Sequence, residues 1–182
     1  MPGKPPSAMV TAPGEGVDLG CAVWEGREPA VLAIHGLTAN CRCWDTLAAA
    51  LAPRHRVLAP DLRGRGSSGR PPSGYSLEHH LADLRALGDR LHPEPVVLMG
   101  HSLGAFIALA FAARHPGRVR GLVLLDGGGP LPPERMGAVM AAIGPSLARL
   151  GQRFPSPAAY LAALSQVPAL QPWNAALETC FR

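Results

Sequence analysis

Hydrophobic positions along this chain form short unbroken runs that alternate with longer segments of three- and four-residue spacing. The runs Ala30–His35 (AVLAIH), His55–Ala59 (HRVLA) and Val96–Met99 (VVLM) predict strands covered on both faces, since a strand with one wet face would alternate, and Val119–Leu125 (VRGLVLL) predicts the next strand. Between the second and third runs, Leu77, Leu81, Leu84, Leu87 and Leu91 form one apolar stripe over a helix from Ser76 to Leu91, with Ser76 placed to cap it and Pro93 to end it. The segment Trp44–Leu51 is helical in composition and stops at Pro53. Leu103–Arg114 is apolar all round, which predicts a helix inside the molecule, and it stops at Pro116. Strand, helix, strand, helix, strand is the order of an α/β fold: a mostly parallel sheet with right-handed crossovers and helices on both faces.

Both ends of the chain read differently. Residues 1–16 are rich in Pro and Gly and are expected to be a loose arm, and Val17–Trp24 predicts a strand of an antiparallel starting pair. After Pro130 the texture becomes Ala-rich helix without strand, in the segments Pro133–Leu150, Pro157–Leu164 and Pro172–Phe181. The expected division is therefore an arm at 1–16, an α/β core at 17–130 and a helical layer at 131–182.

Composition limits the possible partners. With 47% hydrophobic and 16% charged residues, the chain is globular rather than disordered. Its formal charge of +4 comes from 16 Arg and a single Lys, scattered rather than clustered, with few aromatics to stack bases; nucleic acid is not an expected partner. No apolar leader or bilayer-length run occurs, so the expectation is a soluble, cytoplasmic protein without a membrane partner. Cys21, Cys41, Cys43 and Cys180 are expected to be free thiols, because a chain of this size has no need of bridges. Cys41 and Cys43 lack a second ligand pair at metal spacing, so neither a metal nor an organic cofactor is expected.

The chemistry concentrates at Gly100–His101–Ser102–Leu103–Gly104, a G-x-S-x-G between a buried strand and a buried helix. A sharp strand-to-helix turn holds such a serine in strained geometry with its hydroxyl at the tip, and the flanking glycines leave room for the chain to reverse. An attacking serine needs fixed amides to receive the oxyanion. Leu103 supplies one at the start of the following helix, and Leu37, just past Gly36 in the loop after the first core strand, is the expected second.

Taken together, the HG at His35–Gly36 with Trp44 nearby, DLRGRGSS at Asp61–Ser68, GHSLG at Gly100–Gly104 and LVLLDG at Leu122–Gly127 resemble the N-terminal two-thirds of a serine-type α/β-hydrolase. The resemblance covers residues 30–130 in the family's order. It implies a nucleophile at Ser102, oxyanion amides at Leu37 and Leu103, and a helical cap after the strand ending at Leu125, which makes 131–182 a partial cap. It also implies a small-molecule acyl substrate such as a carboxylic ester, and an acyl-enzyme intermediate. Serine at the nucleophile position separates the chain from the family's epoxide hydrolases and haloalkane dehalogenases, which carry aspartate there.

One family element has no counterpart. The triad runs Ser, acid, His, with the His near the C-terminus, yet no histidine follows His115. The resemblance thus implies a core incomplete at the C-terminus and an impaired enzyme, the alternative being a non-catalytic binding protein or remnant. His101 adjoins Ser102, but the neighbouring side chain in such a turn points away from the nucleophile. His35 is expected to order the oxyanion loop; His55, His79, His80, His92 and His115 are expected at the surface. Asp126 stands where some relatives carry the triad acid, and a structural or cap-hinge role is the other reading. Finally, Gly64–Gly69 matches G-x-G-x-x-G, but Pro71 and Pro72 follow directly, so no helix opens there to hold a pyrophosphate and a loop is expected, with Asp61 bonding its backbone.

Overall fold

The computed structural model describes residues 5–167 and 170–181; residues 1–4, at the start of the expected arm, and 168, 169 and 182, within the expected cap, lie outside the described residues. Six strands form one sheet: β1 (Ala8–Pro13), β2 (Asp18–Trp24), β3 (Val31–Ile34), β4 (Val57–Pro60), β5 (Val96–His101) and β6 (Val119–Leu125), in the spatial order β1-β2-β4-β3-β5-β6. The pairs β3–β4, β3–β5 and β5–β6 are parallel, whereas β1–β2 and β2–β4 are antiparallel. Every residue of β3 and β4 is buried, as the unbroken apolar runs predict for strands with both faces covered.

The two faces carry separate apolar clusters. On one, α2 (Leu77–Leu91) and α3 (Leu103–Arg114) set Leu81, Leu84, Leu87, Ile107 and Phe111 against Leu32, Ile34, Leu58 and Leu98. On the other, the 3-10 turn Cys41–Trp44 and α1 (Asp45–Leu51) set Trp44 and Ala48 against Trp24, Ala33, Val57 and Ala59. Among the described residues, three α-helices follow the sheet: α4 (Pro133–Ala148), α5 (Pro157–Leu164) and α6 (Ala175–Phe181), the last packed against the Cys41–Trp44 turn. All four cysteines are free thiols. No helix among the described residues is long and apolar enough to cross a membrane.

Four expectations need correction. The arm expected at 1–16 contains β1, whose residues pair from Ala8 opposite Val23 to Pro13 opposite Asp18. Backbone pairing at a sheet edge tolerates Pro13 at the strand's end, where composition suggests a loop. Ser76 stands at the N-cap of α2, but its hydroxyl lies 2.7 Å from His79 Nδ1 instead of accepting a backbone N–H. α3 is not enclosed on all sides, because Phe106 and Leu109 are exposed. Of the histidines expected at the surface, His80 and His92 are buried; His80 sits one and two turns before Leu84 and Leu87 on the inward face of α2.

A buried ion pair fastens the loop after β4 to α2. Arg63 Nε and Nη2 donate to the two Asp83 oxygens at 2.7 Å each, and the remaining donors reach the carbonyls of Gly74 (2.6 Å) and Glu15 (2.8 Å). Asp83→Ala would leave that guanidinium buried without its counter-charge, so a loss of about 3 to 5 kcal/mol in urea-unfolding stability is expected.

At the opposite side of the sheet β6 is an edge strand, paired with β5 alone among the described residues, and Leu124 and Leu125 are exposed there. An unpaired edge beside exposed Phe106 and Leu109 favours self-association. Phe106→Glu is expected to raise the concentration at which light scattering begins, with the thermal midpoint unchanged.

Candidate active site

The chain reverses between β5 and α3 at Ser102, whose backbone has φ 52° and ψ −119°. A positive φ is uncommon for any residue with a side chain, and it must be held in place by the surroundings. Three observations show how it is held. The Ser102 N–H donates to Leu125 O at 2.9 Å, tying the turn to the end of β6. The Ser102 carbonyl accepts from Ala105 N at 2.9 Å and opens the first turn of α3. A Cβ on Gly100 would collide with the Gly104 carbonyl, and one on Gly104 with the Ile34 carbonyl, so both glycines of the pentad are required by close backbone approach.

Gly36 brings the second loop alongside. A Cβ at this position would lie 3.3 Å from Ser102 Cβ and 3.2 Å from His101 Nδ1, so the strand-β3 loop runs directly against the turn. Neither the Leu37 nor the Leu103 amide donates a hydrogen bond among the described residues, and both residues line one cleft of about 240 Å³. The two residues expected to supply the donors thus line the same cleft, and Leu103 follows Ser102 directly in the chain.

The loop holding Leu37 is fixed from below by His35. This ring is fully buried, with Nδ1 2.8 Å from the Gly36 carbonyl and Nε2 accepting the Leu62 N–H at 3.0 Å. That pairing requires the neutral Nδ1–H tautomer, and burial depresses the pKa from 6.5 to about 4. Asp61 completes the support: one oxygen accepts the Cys41 N–H at 2.7 Å, the other the Ser67 N–H at 2.8 Å and the Ser67 hydroxyl at 2.9 Å. Residues 61–70 contain no helix or strand, in line with the loop expected at Gly64–Gly69.

Asp126 ends β6 with a φ of 51°, and its carboxylate is exposed, 3.8 Å from His101 Nε2. The acid therefore lies beside the Ser102 turn but faces His101. That imidazole is half exposed, with Nδ1 against the Gly36 loop. No hydrogen bond to the Ser102 hydroxyl occurs among the described residues. The cleft also includes residues without a sequence signal, Arg65 and the buried His80. Arg65 Nε donates to the Leu37 carbonyl at 2.6 Å across 28 positions of sequence, a contact no local spacing reveals.

A family model for the alpha/beta hydrolase fold matches residues 29–170. The chain belongs to the α/β-hydrolase family. Among its relatives, a 2-(acetamidomethylene)succinate hydrolase of Mesorhizobium japonicum is 35% identical over 102 residues, which are 56% of this chain and 37% of the relative. Lipase LipV of Mycobacterium tuberculosis is 42% identical over 97 residues, 53% of this chain and 36% of that protein. The crystal structure of an α/β-hydrolase from Novosphingobium aromaticivorans superposes with a TM-score of 0.78 at 29% identity, covering 98% of this chain and 63% of that one. The aligned stretch thus spans little more than a third of the two curated relatives.

For this α/β-hydrolase chain, His35 predicts a pH dependence. Its pKa is lower folded than unfolded, so the unfolded state binds the extra proton between about pH 6.5 and 4. Stability from this residue is present above 6.5 and is lost as pH falls toward about 4. Urea midpoints measured across that window should fall with acidity, less steeply in His35→Gln.

Proposed function

We propose that the chain carries the nucleophile and oxyanion elements of a serine hydrolase acting on small carboxylic esters or related acyl substrates through an acyl-enzyme. The observation that carries this reading is Ser102 at a positive φ of 52° with Gly36 packed against its Cβ. In the proposed step, Ser102 Oγ attacks the substrate carbonyl and loses its proton to a base. The carbonyl oxygen takes up the electron pair and is received by the amides of Leu37 and Leu103; collapse expels the leaving group, and water then releases the acid. Serine rather than aspartate at this turn supports acyl transfer over the alkyl-ester chemistry of other family members. Asp126 is the proposed acid, and its place beside the Ser102 turn supports that assignment. Residues 131–182 are proposed to be part of a cap, in keeping with their three helices and lack of strand among the described residues. The free cysteines favour a reducing, cytoplasmic setting.

A second reading has its own support. No described histidine is bonded to the Ser102 hydroxyl, which favours a reading in which the Leu37 and Leu103 amides and the cleft would bind an acyl compound without a base to activate the serine. The chain would then bind acyl compounds without turning them over. Catalysis lacking a triad member retains roughly 10³- to 10⁴-fold over water.

A p-nitrophenyl ester separates the two, because its leaving group needs no protonation. The expected result is an acyl adduct on the Ser102 peptide by mass spectrometry, absent in Ser102→Ala, with added imidazole raising p-nitrophenolate release above the protein-free imidazole background in the parent chain only. Equal release from both proteins, and no adduct, leaves the binding reading standing.

A further inference from the structure

The cleft lined by Leu37 and Leu103 has an electrostatic asymmetry. Its walls are mostly apolar, with Leu37, Leu77, Leu103 and Ile107 among them, and no acidic side chain lines it. Two arginines do. The charge of Arg63 is neutralised by the buried Asp83 carboxylate. Arg65 has no carboxylate within ion-pair distance among the described residues. Its guanidinium is half-buried and oriented by two main-chain carbonyls, Nε donating to Leu37 at 2.6 Å and Nη1 to Gly64 at 3.1 Å. Those bonds fix the plane without cancelling the charge, and Nη2 donates to no acceptor among the described residues. The neighbouring His80 supplies no counter-charge, since an imidazole is neutral or cationic, and its Nδ1 is buried without a hydrogen-bond partner.

An oriented, uncompensated guanidinium in an apolar cleft is a receptor for a planar anion, since its rigid fork matches a carboxylate. We propose that Arg65 is a specificity-determining residue and that the substrate is an ester bearing a second, unreactive carboxylate, such as the monoester of a small dicarboxylic acid. This rests on the reading of the cleft as the acyl site of Ser102. Because Arg65 also ties the Leu37 loop, its removal alters the cleft's shape as well as its charge. The informative quantity is therefore the ratio of affinities for a charged and a neutral ester of equal length, which a purely structural role would leave unchanged.

The experiment uses the 182-residue chain carrying Ser102→Ala, so that nothing is consumed, titrated by NMR with monomethyl glutarate and with methyl pentanoate. The expected dissociation constant is about tenfold lower for monomethyl glutarate, the size of a hydrogen bond to a charged group. Arg65→Gln should bring the ratio close to one. In the Arg65-containing protein the Arg65 Nε–H resonance should move with the glutarate ester and stay still with the pentanoate, a readout that needs no variant at Arg65. A ratio near one with Arg65 present, a tenfold ratio that survives Arg65→Gln, or an unmoved Nε–H resonance would overturn the proposal. Acylation of Ser102 by a p-nitrophenyl ester is scored separately on the Ser102-containing chain, so failure of the nucleophile and failure of the anion site give different results.

Discussion

The fold turns on how closely the β5–α3 turn can approach the end of β3. Helix α3 can begin where it does only because Gly104 lies against the Ile34 carbonyl and Gly100 against Gly104, with no Cβ between them. This approach sets the crossing of helix over sheet, places Ser102 at a positive φ, and lets Gly36 come within contact of the serine side chain. The β6 carbonyl of Leu125 then closes the turn from the other side. Three strands and one helix are registered to one another by main-chain contacts, so the geometry beside Ser102 is a property of the scaffold more than of any side chain.

Polar groups under that turn are satisfied in a nested order. His35 uses both ring nitrogens to join the Gly36 carbonyl to the Leu62 amide, and Asp61 gathers amides from Cys41 and Ser67. Arg63 and Asp83 extend the same network to α2 and to the Glu15 carbonyl. Buried groups so fully engaged make the loops after β3 and β4 one rigid unit, and an unpaired member would be costly in that environment. The cleft is walled by this unit on one side and by α3 on the other.

Much of this was legible in the sequence because it follows local rules. The unbroken apolar runs mark β3, β4 and β5, the leucine stripe marks α2 over Leu77–Leu91, and the pentad names its own strand–turn–helix context. The helix Pro157–Leu164 begins where Ser156 and Pro157 announce it, and the Ser156 hydroxyl accepts the Ala159 N–H at 3.1 Å. What escaped depends on long-range pairing. β1 lies in a Pro- and Gly-rich stretch whose strand character comes from its partner β2. Arg65 meets Leu37, and Arg63 meets Asp83, through contacts set by tertiary packing rather than spacing. The burial of His80 runs against its polar type and follows its position on the inward face of α2, which is readable from Leu84 and Leu87.

The dihedral angle at Ser102 also filters which side chains evolution could install there. A branched β-carbon is a steric outlier at positive φ, so threonine, though it offers the same functional group, is disfavoured by the main chain before its reactivity is ever tested. Small unbranched residues pass that filter more readily. The side chain presented at this bend is thus confined by stereochemistry to a short alphabet, while the bend itself is set by main-chain contacts that no such substitution touches.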